Sequence, residues 1–150
     1  MLSNNWIFSF FFKNDGVNQP ILARLAVGLI FFSEGMQKYL FPDLSGPGRF
    51  LKIGFDDPAF WAYFTGTAEI ICGALILVGL LVRLASIPPF IIMLVAFVTT
   101  KWPILVDKGF WPFAHEYRTD FAMTLLLIYL FLYGAAKWSN GSGMDNQPKD

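Results

Sequence analysis

Charge is scarce in this chain. Asp, Glu, Lys and Arg make up 15% of its 150 residues, where a soluble domain carries about 25%. The 11 acids and 11 bases cancel to a formal net charge of zero. No Lys/Arg run stands anywhere, so the composition argues against a nucleic-acid partner. Cysteine occurs once, as Cys72, which excludes an intrachain disulfide framework and a dithiol relay. Histidine also occurs once, as His115. With no second His or Cys at ligand spacing, no metal site is expected, and two-histidine haem ligation within the chain is excluded. The chain also lacks a CxxCH haem site, a Gly-rich phosphate loop, a nucleotide fingerprint and a Ser-His-Asp arrangement. No covalently bound cofactor is expected.

What the chain has instead is apolar sequence, 55% of all residues, with a mean hydropathy of +0.52. Four runs read as transmembrane helices, at about residues 21–40, 60–82, 84–100 and 119–136. None alternates with period two, and all are too long for ordinary strands. Lipid requires every backbone group to pair internally, so helices are the default. The expected fold class is therefore all-α, an integral membrane four-helix bundle spanning residues 21–137. Its expected partner is the lipid bilayer. Pro20 and Pro58 suit first helical turns. Pro88 and Pro89 are expected either to delay the third helix or to kink it.

Two long aromatic and Pro-rich loops, residues 41–59 and 101–118, fall on one side of the bundle. Both are expected to lie on the membrane face and partly cover it. Residues 1–20 hold a short apolar stretch, read as an interfacial segment rather than a signal peptide. Residues 138–150 read as a polar, disordered tail. Basic residues divide almost evenly between the two sides. Arg83 in the tight second turn and Lys137 after the fourth helix favour termini inside.

The polar residues inside the spans are few, and each can be named. Glu69 lies near the middle of the 60–82 run. A carboxylate at that depth costs roughly 2.5–3.5 kcal/mol on insertion scales. It survives there by facing protein, finding a partner or carrying a proton. It reads either as helix glue or as a functional group. In the first helix, Arg24, Gly28, Phe31, Gly35 and Lys38 recur at heptad spacing. Gly28 and Gly35 there, with Gly66 and Gly73 flanking Glu69, suit close helix packing. Glu34 precedes Lys38 by one helical turn, the favourable order for an ion pair. His115, Arg118 and Asp120 open the fourth helix on the same side. Glu69, Glu34 and Lys38 are the candidate catalytic residues. Arg24, His115, Arg118 and Asp120 are the candidate ligand-binding residues.

These residues resemble the DoxX family of small four-helix membrane proteins. The resemblance runs through LARLAVGLIFFSEGMQKYL and GTAEIICGALILVGLLVRLAS, and ends at GAAKWSNGSGMD. Arg24, Gly28, Gly35 and Lys38 match the family pattern in the first helix. Glu69 with Gly73, and Gly79 with Arg83, match the second helix and its turn. Where many relatives carry His before the second glycine, this chain has Glu34. The resemblance implies a plasma (inner) membrane bundle with cytoplasmic termini. Some relatives are subunits of thiosulfate:quinone oxidoreductase, and others are associated with membrane redox complexes. More distant ones are cargo receptors or receptor-assembly chaperones. The leading expectation is thus a subunit of a quinone-linked oxidoreductase, with quinone as the possible ligand and a protein partner supplying electrons. The alternative is a non-enzymatic adaptor that binds another membrane or exported protein. A solute or proton pathway ranks last, because four short helices leave little room for a pore. A homo-oligomer is compatible with all three.

Overall fold

Proline and glycine set most of the helix boundaries. A computed structural model describes residues 21–134, which are helical apart from short connections, with no strand among them. The expected interfacial segment at 1–20, the tail at 138–150 and the marker Lys137 lie outside the described residues. Helix α1 is Ile21–Leu40, α2 is the short Pro47–Lys52, and α3 is Pro58–Val78. Pro58 opens α3, where its missing N–H is no loss, and Asp57 caps it by accepting from the Phe60 N–H at 3.2 Å. Gly79 ends α3 in the left-handed region at φ +85°, with the Leu80 N–H returning to the Leu75 carbonyl at 2.9 Å. The chain then reverses within three residues, as the sequence suggests.

The third expected span comes in pieces. Helix α4 is Val82–Ala85 and α5 is Ile87–Ala96, separated at Ser86. Pro89 lacks the N–H that would reach the Ala85 carbonyl, so the break falls where the double proline predicts. A π-helical turn, Phe97–Lys101, leads into α6, Trp102–Lys108. Pro103 explains that turn. Its ring and missing N–H conflict with the carbonyl four residues back, and widening the ladder by one residue absorbs the conflict. The Trp102 N–H accordingly donates to the Phe97 carbonyl.

The second long loop is corrected by the structure. Residues 101–118 are almost wholly helical, with α7, Phe110–Tyr133, beginning well before the expected start at 119. Pro103 and Pro112 read as loop markers, but both sit in first turns, where proline is tolerated. The actual reversal is a single glycine, Gly109, at φ +84°. Only residues 41–57 form a long connection among the described residues, and α2 lies within it.

Two helical stretches are long and apolar enough to cross a membrane, α3 and the near-continuous run Val82–Lys108. The outer surface fits that solvent. Leu22, Leu44, Val78 and Trp111 are each 70–80% exposed, among many other exposed apolar side chains. A surface this apolar is unusual for a protein bathed in water. The buried cluster is small and sits toward one end. Val27 and Phe31 of α1, Cys72 and Ile76 of α3, Val82 and Ala85 of α4, and Met123, Leu127 and Leu130 of α7 form it. No residue of α5 or α6 beyond Pro89 is buried, and none of α7 before Met123.

Candidate functional site

Helices α1 and α3 run antiparallel and pack through their glycines. A Cβ added to Gly35 would lie 2.6 Å from the Gly66 carbonyl oxygen, and one on Gly73 would lie 2.7 Å from the Phe32 nitrogen. The backbones approach too closely for any side chain there. Gly66 serves differently, because a Cβ on it would meet the Lys38 stem at 3.3 Å. The lysine methylenes lie across the bare patch that this glycine leaves.

Lys38 then turns back along α1, the direction in which helical side chains lean. Its Nζ donates to Oε2 of Glu69 at 2.5 Å. Both residues are buried, Lys38 8% exposed and Glu69 3%. Glu69 sits where two faces of α3 meet. Gly66 and Gly73 turn toward α1, while Cys72 and Ile76 join the apolar cluster. Its second oxygen accepts no hydrogen bond among the described residues, and Lys38 keeps two N–H groups beyond the one it gives to Glu69. The pair can therefore offer both a donor and an acceptor to a third group.

The ion pair expected within α1 does not form. Glu34 is exposed and has no hydrogen bond or ion pair among the described residues, while its intended partner Lys38 is taken by Glu69. A buried interhelical partner outcompetes a neighbour one turn away, because a charge pair is worth more out of solvent.

The other candidate residues separate into two further groups. Arg24 donates to the Ile76 and Leu77 carbonyls at 3.0 and 2.8 Å, capping the C-terminal end of α3. Its guanidinium fills the space beside Gly79. Arg24 is fourteen residues from Lys38, or about 21 Å along α1, so it does not share the site of the ion pair. Asp120 receives the Lys101 ammonium at 3.3 Å, and Lys101 also donates to the Glu116 carbonyl at 2.9 Å. Among the described residues, His115 and Arg118 hydrogen-bond only each other, at 3.5 Å on the surface. Among the described residues no hydrogen bond or ion pair links this α6–α7 group to Lys38 or Glu69.

Three polar residues beside the pair escape a sequence reading. The Tyr39 hydroxyl donates to the Tyr63 carbonyl at 3.0 Å and meets the Thr67 hydroxyl at 2.5 Å, and the two tyrosine rings stack 5.1 Å apart. This brace pins the α1–α3 crossing next to Lys38. Its signal is faint, since Tyr39 merely follows Lys38 and Thr67 merely precedes Glu69 by two. Arg83 is the other surprise. It is buried, with its side chain running alongside Gly134 at the C-terminal end of α7. A cation there complements the helix dipole. Among the described residues no cluster of metal-binding side chains occurs.

The motif residues thus form one connected seam, with an arginine cap at one end and a buried ion pair toward the other. Comparison with known proteins places that seam. The DoxX family profile matches residues 20–102. The uncharacterized membrane protein Rv3486 of Mycobacterium tuberculosis is 46% identical over 131 residues, which cover 83% of this chain and 80% of that protein. CatD of Bacillus subtilis, whose name carries a provisional oxidoreductase assignment, is 30% identical over 116 residues, covering 77% and 78% of the two chains. No solved structure matches the chain significantly. The seam that joins α1 to α3 is built from the residues of the family pattern, and the chain belongs to the DoxX family of membrane proteins.

Proposed function

We propose that this chain is the membrane subunit of a quinone-linked oxidoreductase, a four-helix bundle in the plasma membrane with cytoplasmic termini, acting with a redox partner. The observation that carries this reading is the buried Lys38–Glu69 pair in the α1–α3 seam. Helices can be joined more cheaply by amides or hydroxyls than by two charges at membrane depth. The oxidoreductase name of the CatD relative supports it further.

The residues present fit a quinone. A quinone ring offers carbonyl oxygens that accept hydrogen bonds, and its reduced form offers hydroxyls that donate them. Lys38 has N–H groups to give, and Glu69 has an oxygen free to accept. When bound, a quinone would supply two-electron, two-proton redox capacity. The chain itself would orient the headgroup through Lys38 and hold or release a proton at Glu69. The apolar cluster that holds Cys72, Ile76 and Phe31 lies on the α3–α4 side of the pair. The electrons come from the redox partner.

The test pairs chemistry with genetics. Gentle purification followed by solvent extraction should recover quinone with the protein. Glu69→Gln should still fold, with a lowered melting temperature because Lys38 loses its charge partner while the amide oxygen still accepts its hydrogen bond, yet fail to complement a deletion strain. A Gln variant that is both stable and fully active would reduce Glu69 to helix glue. A stable non-redox partner in place of quinone would favour an adaptor instead.

A further inference from the structure

Two helical faces change chemistry partway along their length. On α1, Ala23, Val27, Phe31, Glu34 and Lys38 recur every three or four residues and so share one face. The first three are buried in the apolar cluster, Glu34 is exposed, and Lys38 is buried against Gly66 and Glu69 of α3. On α7, Leu130, Leu127 and Met123 are buried. Continuing the same spacing toward the N-terminus reaches Asp120 and Thr119, half-buried and exposed. Both faces belong to the core at the end where α3 turns into α4. Toward the end where loop 41–57 lies, α7 has no buried residue before Met123, and α1 is uncovered at Glu34 while Lys38 keeps the cover of α3. The two helix pairs meet at one end only, and the uncovered part of each inner face is polar.

Glu34 stands thirteen residues into α1, about 20 Å from its start. With α1 as a span of a hydrocarbon core about 30 Å thick, its carboxylate lies well inside the membrane. It is exposed, and nothing among the described residues pairs with it. A carboxylate does not face lipid tails at that depth. Its wheel position turns it toward α7 rather than outward, since Leu29 marks the lipid face on the opposite side. On the corresponding face of α7, Asp120 is held by Lys101, so that face is charged as well.

We propose that this open half encloses a water-filled vestibule that ends at Glu34, whose carboxylate is its ligand-facing group. The vestibule is blind. Val27, Phe31, Ile76 and Leu127 close it toward the α3–α4 turn, so it is an entry and not a pore. Its floor accepts hydrogen bonds from water or from a donor group on a polar solute. The inference rests on α1 being a span but does not need the quinone.

Cysteine accessibility in the full chain tests it. In a Cys72→Ala background, Glu34→Cys and Thr119→Cys are treated in membranes with a charged, impermeant thiol reagent. Leu29→Cys serves as the lipid-facing control. Melting temperatures matched to the parent establish that each variant is folded, and Thr119→Cys leaves the Glu34 carboxylate in place. Labelling at positions 34 and 119 should exceed that at 29 by about 100-fold, the discrimination expected from the cost of carrying a charge into lipid. Labelling at 34 by a lipid-soluble maleimide alone would mean lipid fills the gap, and the vestibule is wrong. No labelling by either reagent would mean protein covers the gap, which overturns the vestibule equally. Fast charged labelling at 29 would show that α1 is not a span, which removes the basis of the proposal independently of any quinone result.

Discussion

Lys38 and Glu69 trade two costs for one. Each alone would be a buried charge, and together they satisfy one another at 2.5 Å. Removing one partner from such a pair typically costs about 3–5 kcal/mol, whereas replacing both by apolar groups is often nearly neutral. Lys38→Met should therefore lower the melting temperature in detergent markedly, and Lys38→Met with Glu69→Leu should recover most of the loss. If the double variant melts as low as the single one, the lysine stem packed on Gly66 carries the stability and the charges do not. Glu69 was legible in the sequence because its surroundings are so apolar. Its partner was legible only as a choice between two basic residues, Lys38 and Arg118, and the α1–α3 register selects Lys38.

The glycines of α1 and α3 are alike in sequence and differ in what they touch. Gly35 and Gly73 abut backbone, which cannot move aside. A Cβ on Gly28 meets the Leu77 side chain first, at 2.5 Å, with the Gly73 carbonyl at 3.0 Å, and one on Gly66 meets only side chains, at 3.2–3.3 Å. Alanine substitutions should consequently rank Gly35 and Gly73 as most damaging, each about 1–3 kcal/mol. Gly28 should follow and Gly66 should be mildest by melting, although Gly66→Ala pushes on the Lys38 stem. An equal effect at all four would mean that helix propensity and not helix approach is being measured. Seam spacing alone marks these glycines as packing residues, but the ranking requires the coordinates. The same holds for residues 101–118. Proline and aromatic content there suggests a loop, because a proline in the first turn of a helix and a proline in a loop look identical until the helix boundary is known.

Across the whole molecule, positive charge is less free to direct topology than a residue count suggests. Arg24 and Arg83 both lie at the end where α3 turns into α4, and both are packed against helix C-termini. Their positions satisfy carbonyls and helix dipoles, whichever side of the membrane they occupy. The proposed topology puts this end inside. In a Cys72→Ala background, a Cys at Leu80 in the α3–α4 turn should label only after permeabilisation. A Cys at Ser45, in the connection before α2, should label in intact cells. The reverse pattern would place the termini outside and direct the vestibule inward.

Local physics decided most of the secondary structure. Long apolar runs without period two must be helices in lipid, Gly79 must end one of them, and the paired prolines must break another. The same locality made the heptad stripe of α1 and the isolation of Glu69 visible without coordinates. Tertiary structure alone decided that Lys38 pairs with Glu69 and leaves Glu34 alone, that Arg24 caps α3 across the seam, and that the helix pairs close at one end only. Helical periodicity tells which residues share a face. Which face meets which partner, and for how many turns, depends on the crossing and register of helices far apart in the chain, and no local pattern encodes it.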